Sequence, residues 1–206
     1  MSAITNTTIS SYDYLLRQCY SSNRNARIPY GRITMNAGSL AKVDSDALKK
    51  ASRNLSNIEY SSDNGVNIYN NIKAFVESYN NLSDSSAKVS DSPELSRMEK
   101  KLSKYVKENK DELEKLGVKV SSSGKLSVDK ETLLTTTASK LEEFFSGDNE
   151  FTNTVIQYAT RINRIAKNLA RIGNSQKKAS GKASASAANL PVTLSNTPAG
   201  SIDFKA

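Results

Sequence analysis

The residue types able to do chemistry are few in this chain, and their spacing gives them little to work with. Histidine is absent, which removes the commonest general base and the commonest metal ligand. Cys19 is the single cysteine, so one chain can hold neither a disulfide nor a cysteine zinc site. It lies in Arg17-Gln18-Cys19-Tyr20 with no histidine to activate it, and reads as a small apolar residue or a free thiol rather than a nucleophile. Adjacent acids occur as Asp111-Glu112 and Glu142-Glu143, within helical runs rather than facing each other across a cleft as glycoside hydrolysis requires. Asp148-Asn149-Glu150 lacks the remaining ligands of a calcium loop. No glycine spacing suits a phosphate-binding loop. The expectation is a protein that is not an enzyme and holds no cofactor and no metal.

The charge of +8 invites a nucleic-acid reading, but its distribution opposes one. Residues 61–172 carry 17 Lys+Arg against 16 Asp+Glu, so the surplus lies towards the two ends. A nucleic-acid-binding fold concentrates basic charge on its folded part. Basic ends would bind nucleic acid or acidic lipid weakly and without specificity, so nucleic acid is not the expected partner. No run of apolar residues reaches the length of a membrane span, and none is expected to insert. Residues 1–10 lack the charged and apolar regions of a secretory signal.

The elements that would position any site are mainly helices. Residues 1–43 are rich in Ser, Asn, Thr and Arg, with a short helix over Ser11–Tyr20 and a Pro- and Gly-containing stretch beyond it. They read as a flexible segment. Asp44 or Ser45 is the expected cap of a helix carrying Ala47, Leu48, Ala51, Leu55 and Ile58. Ser61-Ser62-Asp63 precedes a stronger helix whose apolar positions, Ile68, Ile72, Phe75, Tyr79 and Leu82, step by four and three. Ser92-Pro93 restarts a helix with Leu95, Met98, Leu102 and Tyr105 on one face, interrupted at Asn109. Gly117 supplies a left-handed stop, and alternation on either side of Ser121–Gly124 predicts a β-hairpin at 118–128. Asp129 caps one further helix bearing Leu134, Ala138, Leu141 and Phe145.

The sharpest periodicity is in the last helix. Phe151, Val155, Tyr158, Ile162, Ile165, Leu169 and Ile172 follow a heptad seam that Gly173 is expected to close. Such a seam points first to an intramolecular core and second to a subunit interface, and one helix can serve both. The candidate helix-packing or partner-interface residues are therefore these seven together with Ile68, Ile72, Phe75 and Tyr79. Residues 174–206, rich in Ala, Ser and Lys, read as a disordered tail. The expected fold is a mainly α antiparallel bundle over 44–173 with one small hairpin.

Four segments in order carry a resemblance. Leu116-Gly-Val-Lys-Val-Ser-Ser-Ser-Gly-Lys-Leu-Ser-Val-Asp129 is a Leu-Gly-Val start, a short strand, a polar glycine turn and a Leu-Ser-Val-Asp entry to a helix. Ile72-Lys-Ala-Phe-Val-Glu-Ser-Tyr-Asn-Asn-Leu82, Asp91-Ser-Pro-Glu-Leu-Ser-Arg-Met98 and Leu141-Glu-Glu-Phe-Phe-Ser-Gly147 accompany it. Together they resemble the C-terminal helical, coiled-coil region of the flagellar filament-capping protein (hook-associated protein type 2) family. The resemblance covers roughly residues 66–172, and the N-terminal helical motif and β-rich middle domains of the family have no counterpart here. It implies a secreted structural protein of the bacterial flagellum, exported without a cleaved signal peptide through N-terminal residues. It also implies that the chain works as a homo-oligomer or with flagellin or other axial helical proteins, in motility. A cytoplasmic helical adaptor or regulator, binding nucleic acid or another protein through its basic ends, is the alternative expectation.

Overall fold

A computed structural model describes residues 11–187, with side chains described as far as residue 172. Two units divide the chain: Met1–Gly173, which contains the core, and Asn174–Ala206. The elements are α1 (Ser11–Cys19), a 3-10 turn (Arg24–Arg27), α2 (Pro29–Ile33), α3 (Ala37–Asn57), a 3-10 turn (Ser62–Asn64) and α4 (Gly65–Ala87). They continue with α5 (Pro93–Glu108), α6 (Lys110–Lys115), β1 (Val118–Val120), β2 (Leu126–Val128), α7 (Lys130–Thr135), α8 (Ala138–Phe145) and α9 (Glu150–Ala187). The fold is mainly helical with one antiparallel hairpin, in which Val118 faces Val128 and Val120 faces Leu126.

Helix α4 is the centre of the molecule. It meets α1, α3, α5, α7 and β2, and its buried residues run round the helix rather than along one stripe, from Ile68, Ile72 and Phe75 to Asn71, Ser78 and Ser85. A helix buried over most of its circumference, with only the strip through Val66 and Asp84 turned outward, must be a core helix. The outer helices start where their sequences supply caps. Ser92 Oγ accepts from the Leu95 amide at 3.2 Å with Pro93 at the first helical position, and Asp129 Oδ1 accepts from the Thr132 amide at 3.2 Å. Each such cap contributes about 1 kcal/mol. Gly117 takes φ +83°, and an added Cβ there would lie 2.6 Å from the Leu133 amide nitrogen.

Several expectations are corrected. Residues 11–43 are not a flexible segment: α1, a 3-10 turn, α2 and the first turns of α3 occupy them, and Leu16, Cys19, Tyr20 and Ala26 are buried. Residues 1–10 lie outside the described part. Neither Asp44 nor Ser45 is a cap; α3 begins at Ala37, where Asn36 Oδ1 accepts from the Ser39 amide at 2.7 Å, and Asp44 is fully buried within the helix. The single helix after Asp129 is two, α7 and α8. Thr135 and Thr136 turn their hydroxyls back onto the carbonyls of Glu131 and Thr132, and Thr137 adopts an extended backbone before α8. This competition between hydroxyl and backbone is why threonine runs break helices. Leu134 consequently points outwards, 52% exposed, and Leu133 takes the core position. Gly173 does not close the last helix, which continues to Ala187. One helical glycine costs about 1 kcal/mol, and the alanines beyond it are the best helix formers. Of the tail expected to be disordered, 188–206 lie outside the described residues.

Candidate interaction surface

The N-terminal elements are held by a polar cluster beneath them. Arg32, on α2, forks onto the carboxylate of Asp44, on α3, with both N–H···O distances at 2.8 Å. Tyr20 OH donates to Asp44 Oδ1 at 3.2 Å, and Asn81 Nδ2, on α4, donates to the Tyr20 oxygen at 2.8 Å. Arg32 also donates to the Ala26 carbonyl at 2.9 Å. Three helices and a turn therefore converge on one carboxylate. Burial, with Asp44 adding to it, pushes the Tyr20 hydroxyl above the tyrosine range, so it stays a donor. At the outer end Tyr12 donates to Glu77, Lys73 lies 4.1 Å from the Tyr12 ring, and Asp13 pairs with Arg27 at 2.7 Å.

The hairpin is docked by α4. Asn80 uses its side-chain amide as a strand would use its backbone: Nδ2 donates to the Leu126 carbonyl at 2.8 Å, and Oδ1 accepts from the Leu126 amide at 2.9 Å. Tyr79 OH donates to the Gly124 carbonyl at 3.1 Å, and burial pushes its hydroxyl up to about 12. Lys125 reaches the Asn80 carbonyl at 2.8 Å and Asp84 at 2.6 Å. The Tyr-Asn pair and the Gly-Lys-Leu turn are thus hydrogen-bonded partners across 45 residues of sequence.

An aromatic cluster joins the remaining helices. Phe75 meets Phe145 and Phe151 edge-on, at ring separations of 6.5 and 6.1 Å. Tyr105 stacks on Phe151 at 5.8 Å and adjoins Tyr158 at 6.3 Å, while Phe144 lies 4.7 Å from Phe151. This brings α4, α5, α8 and α9 to one point, with ring pairs contributing about 0.5–1.5 kcal/mol each beyond their burial.

No family model, curated protein or solved structure matches the chain.

Of the eleven candidate interface residues, Ile68, Ile72, Phe75, Tyr79, Phe151, Val155 and Ile162 are at most 2% exposed and belong to the chain's own core. Tyr158, Ile165 and Leu169 are partly buried against it, and Ile172 is 56% exposed. The heptad count missed a second buried line on α9, Thr152, Ala159, Ala166 and Ala170, which is small rather than strongly apolar. It allows close approach to α3. A Cβ added at Gly38 would lie 3.1 Å from Leu169 Cβ, and Asn163 Nδ2 donates to the Lys42 carbonyl at 2.9 Å and Ser45 Oγ at 3.1 Å. The small residues at seven-residue spacing were the available signal. Nothing in the sequence marks Arg32 and Asp44 as partners.

Cys19 is fully buried, and burial pushes its thiol up to about 11, which holds it protonated and inert. Among the described residues no group of three or more His, Cys, Asp or Glu side chains could hold a metal ion. No described helix is long and apolar enough to cross a membrane.

Proposed function

We propose that this chain is a structural or assembly protein of the bacterial flagellum, resembling the filament cap that helps flagellin assemble at the filament tip. The observation that carries the reading is the interlocking of the motifs on which the resemblance rests. Tyr79 and Asn80 hold Gly124 and Leu126 by four-way hydrogen bonding that also engages Lys125, and Phe75 packs on Phe145. Segments that resemble one family in order, and are also one another's structural partners, form one coherent unit rather than scattered short matches. On this reading the chain is not an enzyme, acts outside the cell, and works through helix packing with copies of itself, flagellin or another axial protein.

The test is light scattering of the full chain at high concentration, alone and with flagellin or a hook-junction protein. Self-association or a mixed complex is expected. A strict monomer that binds neither refutes the proposal, as does salt-sensitive DNA or RNA binding that disappears when the basic ends are neutralised, which is the mark of a cytoplasmic adaptor.

A further inference from the structure

The groove between α5 and α9 is an apolar seam that runs out of partner before it runs out of residues. The two helices are antiparallel. Tyr105 adjoins Tyr158, and seven residues further on each helix Met98 and Ile165 line one groove of about 280 Å³. The next seven-residue step reaches Ile172 on α9, but on α5 it reaches Asp91, ahead of the first helical residue, Pro93. Ile172 is left 56% exposed and Ile165 half-buried, on the edge of α9 that faces α5.

Cations flank this seam on both sides. Arg97, Lys100, Lys101 and Lys104 follow helical spacing along the outer face of α5, and Arg161 and Arg164 line the groove from α9. Among the described residues, Arg97, Lys101, Arg161 and Arg164 have no carboxylate within ion-pair distance, whereas Lys104 pairs with Glu108 at 3.5 Å. Glu94 is the one acid lining the groove. An apolar floor between two rows of cations is the complement of a helix with an apolar stripe between two rows of carboxylates. Nucleic acid fits less well. Its phosphates would gain nothing from Met98, Ile165 and Ile172, and none of the residues lining the groove is an aromatic on which a base could stack.

We propose that the α5–α9 groove is the docking site for an acidic amphipathic helix of a partner protein. Apolar side chains of that helix would cover Met98, Ile165 and Ile172 while its carboxylates face Arg97, Lys101, Arg161 and Arg164. The inference stands on the groove alone and does not require the flagellar reading, so either can fail without the other.

The test uses the full chain and a synthetic peptide about three heptads long, with leucine at its seam positions and glutamate on both flanks. Glutamate repulsion keeps the peptide from pairing with itself. A lysine-flanked version, an oligothymidylate and phosphatidylserine vesicles are the comparison probes. Binding of the glutamate peptide is expected, weakening as salt rises. Reversing Arg97, Lys101, Arg161 and Arg164 to glutamate is expected to lower its affinity about a hundredfold or more. Ile165→Ser is expected to lower it about tenfold, and because it leaves the charges in place it separates packing from attraction. Circular dichroism confirms that each exposed-site variant is folded. Equal binding of the lysine peptide, stronger binding of the oligonucleotide or vesicles, or an affinity unchanged by the charge reversal overturns the proposal.

Discussion

Removing Arg32 should cost more than removing Asp44, although both belong to one ion pair. The reason is what each deletion leaves behind. Asp44 has a fully buried side chain and Arg32 is 16% exposed. With Arg32→Ala the carboxylate stays sealed, keeping the Tyr20 hydroxyl as its remaining donor among the contacts described. With Asp44→Ala the guanidinium keeps the Ala26 carbonyl and a route to water. Breaking a buried pair costs about 3–5 kcal/mol, so Arg32→Ala belongs at the upper end and Asp44→Ala at the lower. For a chain of this size that lowers Tm by about 6–20 °C. The double change Arg32→Met, Asp44→Leu removes both charges, and should recover most of the loss because no uncompensated ion remains. The cycle is measured by guanidinium denaturation followed by circular dichroism. Trypsin cleavage at Arg17, Arg24 and Arg27 is followed alongside, because α1 and α2 are expected to open before the core does. If both single variants lose less than about 1 kcal/mol, or the double variant loses the sum of the two, the cluster does not hold the N-terminal helices and the account is wrong.

Three further outcomes follow from particular contacts. Asn80→Ala leaves the amide and carbonyl of buried Leu126 without their α4 partner. A loss of about 1–3 kcal/mol and faster amide exchange at Leu126 are expected, and unchanged exchange would contradict the docking. Gly117→Ala forces φ +83° on a side chain whose Cβ meets Leu133, and should lower the unfolding free energy, read from the shift in denaturation midpoint, by about 1–2 kcal/mol or more. Gly65→Ala is its control: nothing lies within 4 Å of the added Cβ, and a gain of about 0.4–1 kcal/mol is expected. The tyrosines set the alkaline limit. Burial raises the hydroxyls of Tyr12, Tyr20 and Tyr60 above the normal range, and that of Tyr79 to about 12. A raised folded-state value favours the neutral form. This stability is therefore whole below about pH 10, where an unfolded tyrosine titrates, and declines as pH climbs towards the folded value. With no tryptophan present, tyrosinate absorbance reports it directly, and ionisation of these four near pH 10 without loss of helix would refute their burial.

Much of the architecture could be read from periodicity, because periodicity is what burial imposes on a helix. The seam of α4, the Ser92-Pro93 start, the Asn109 break and the hairpin all stand where their residues put them. The N-terminal third could not be read in this way. Its order depends on Arg32 meeting Asp44 and Tyr20 meeting Asn81, contacts between residues that look like surface positions one at a time. A sequence rich in Ser, Asn and Arg signals disorder only if its polar groups have no buried partner, and partnership across 61 positions leaves no local trace. Spacing alone puts Leu134 on the apolar face with Ala138, Leu141 and Phe145, yet Leu133 is the buried one. The threonine break after them decides which points inward, and hydroxyl competition with the backbone is invisible to an apolar count.

The same limit applies to charge. Counting Lys and Arg against Asp and Glu over residues 61–172 gives near balance, and balance suggested an uncharged packing surface with the positive charge left to the ends. Helical geometry separates what the count combines. Lys119 is bound to Asp129 at 2.7 Å, Lys125 to Asp84 at 2.6 Å and Lys115 to Glu112 at 2.8 Å, so these acids already hold a cation. The cations at 97, 101, 161 and 164 are not matched in this way: Arg97 and Lys101 lie on the outer face of α5, and Arg161 and Arg164 line the groove beside it. A sum of charges is therefore a weak guide to a helical protein's surface. What decides the field at a groove is which residues share a helical face and which already have a carboxylate beside them. The apolar line on α9 reaches Ile172, which stays 56% exposed, because α5 starts at Pro93 and has no helical residue to set opposite it.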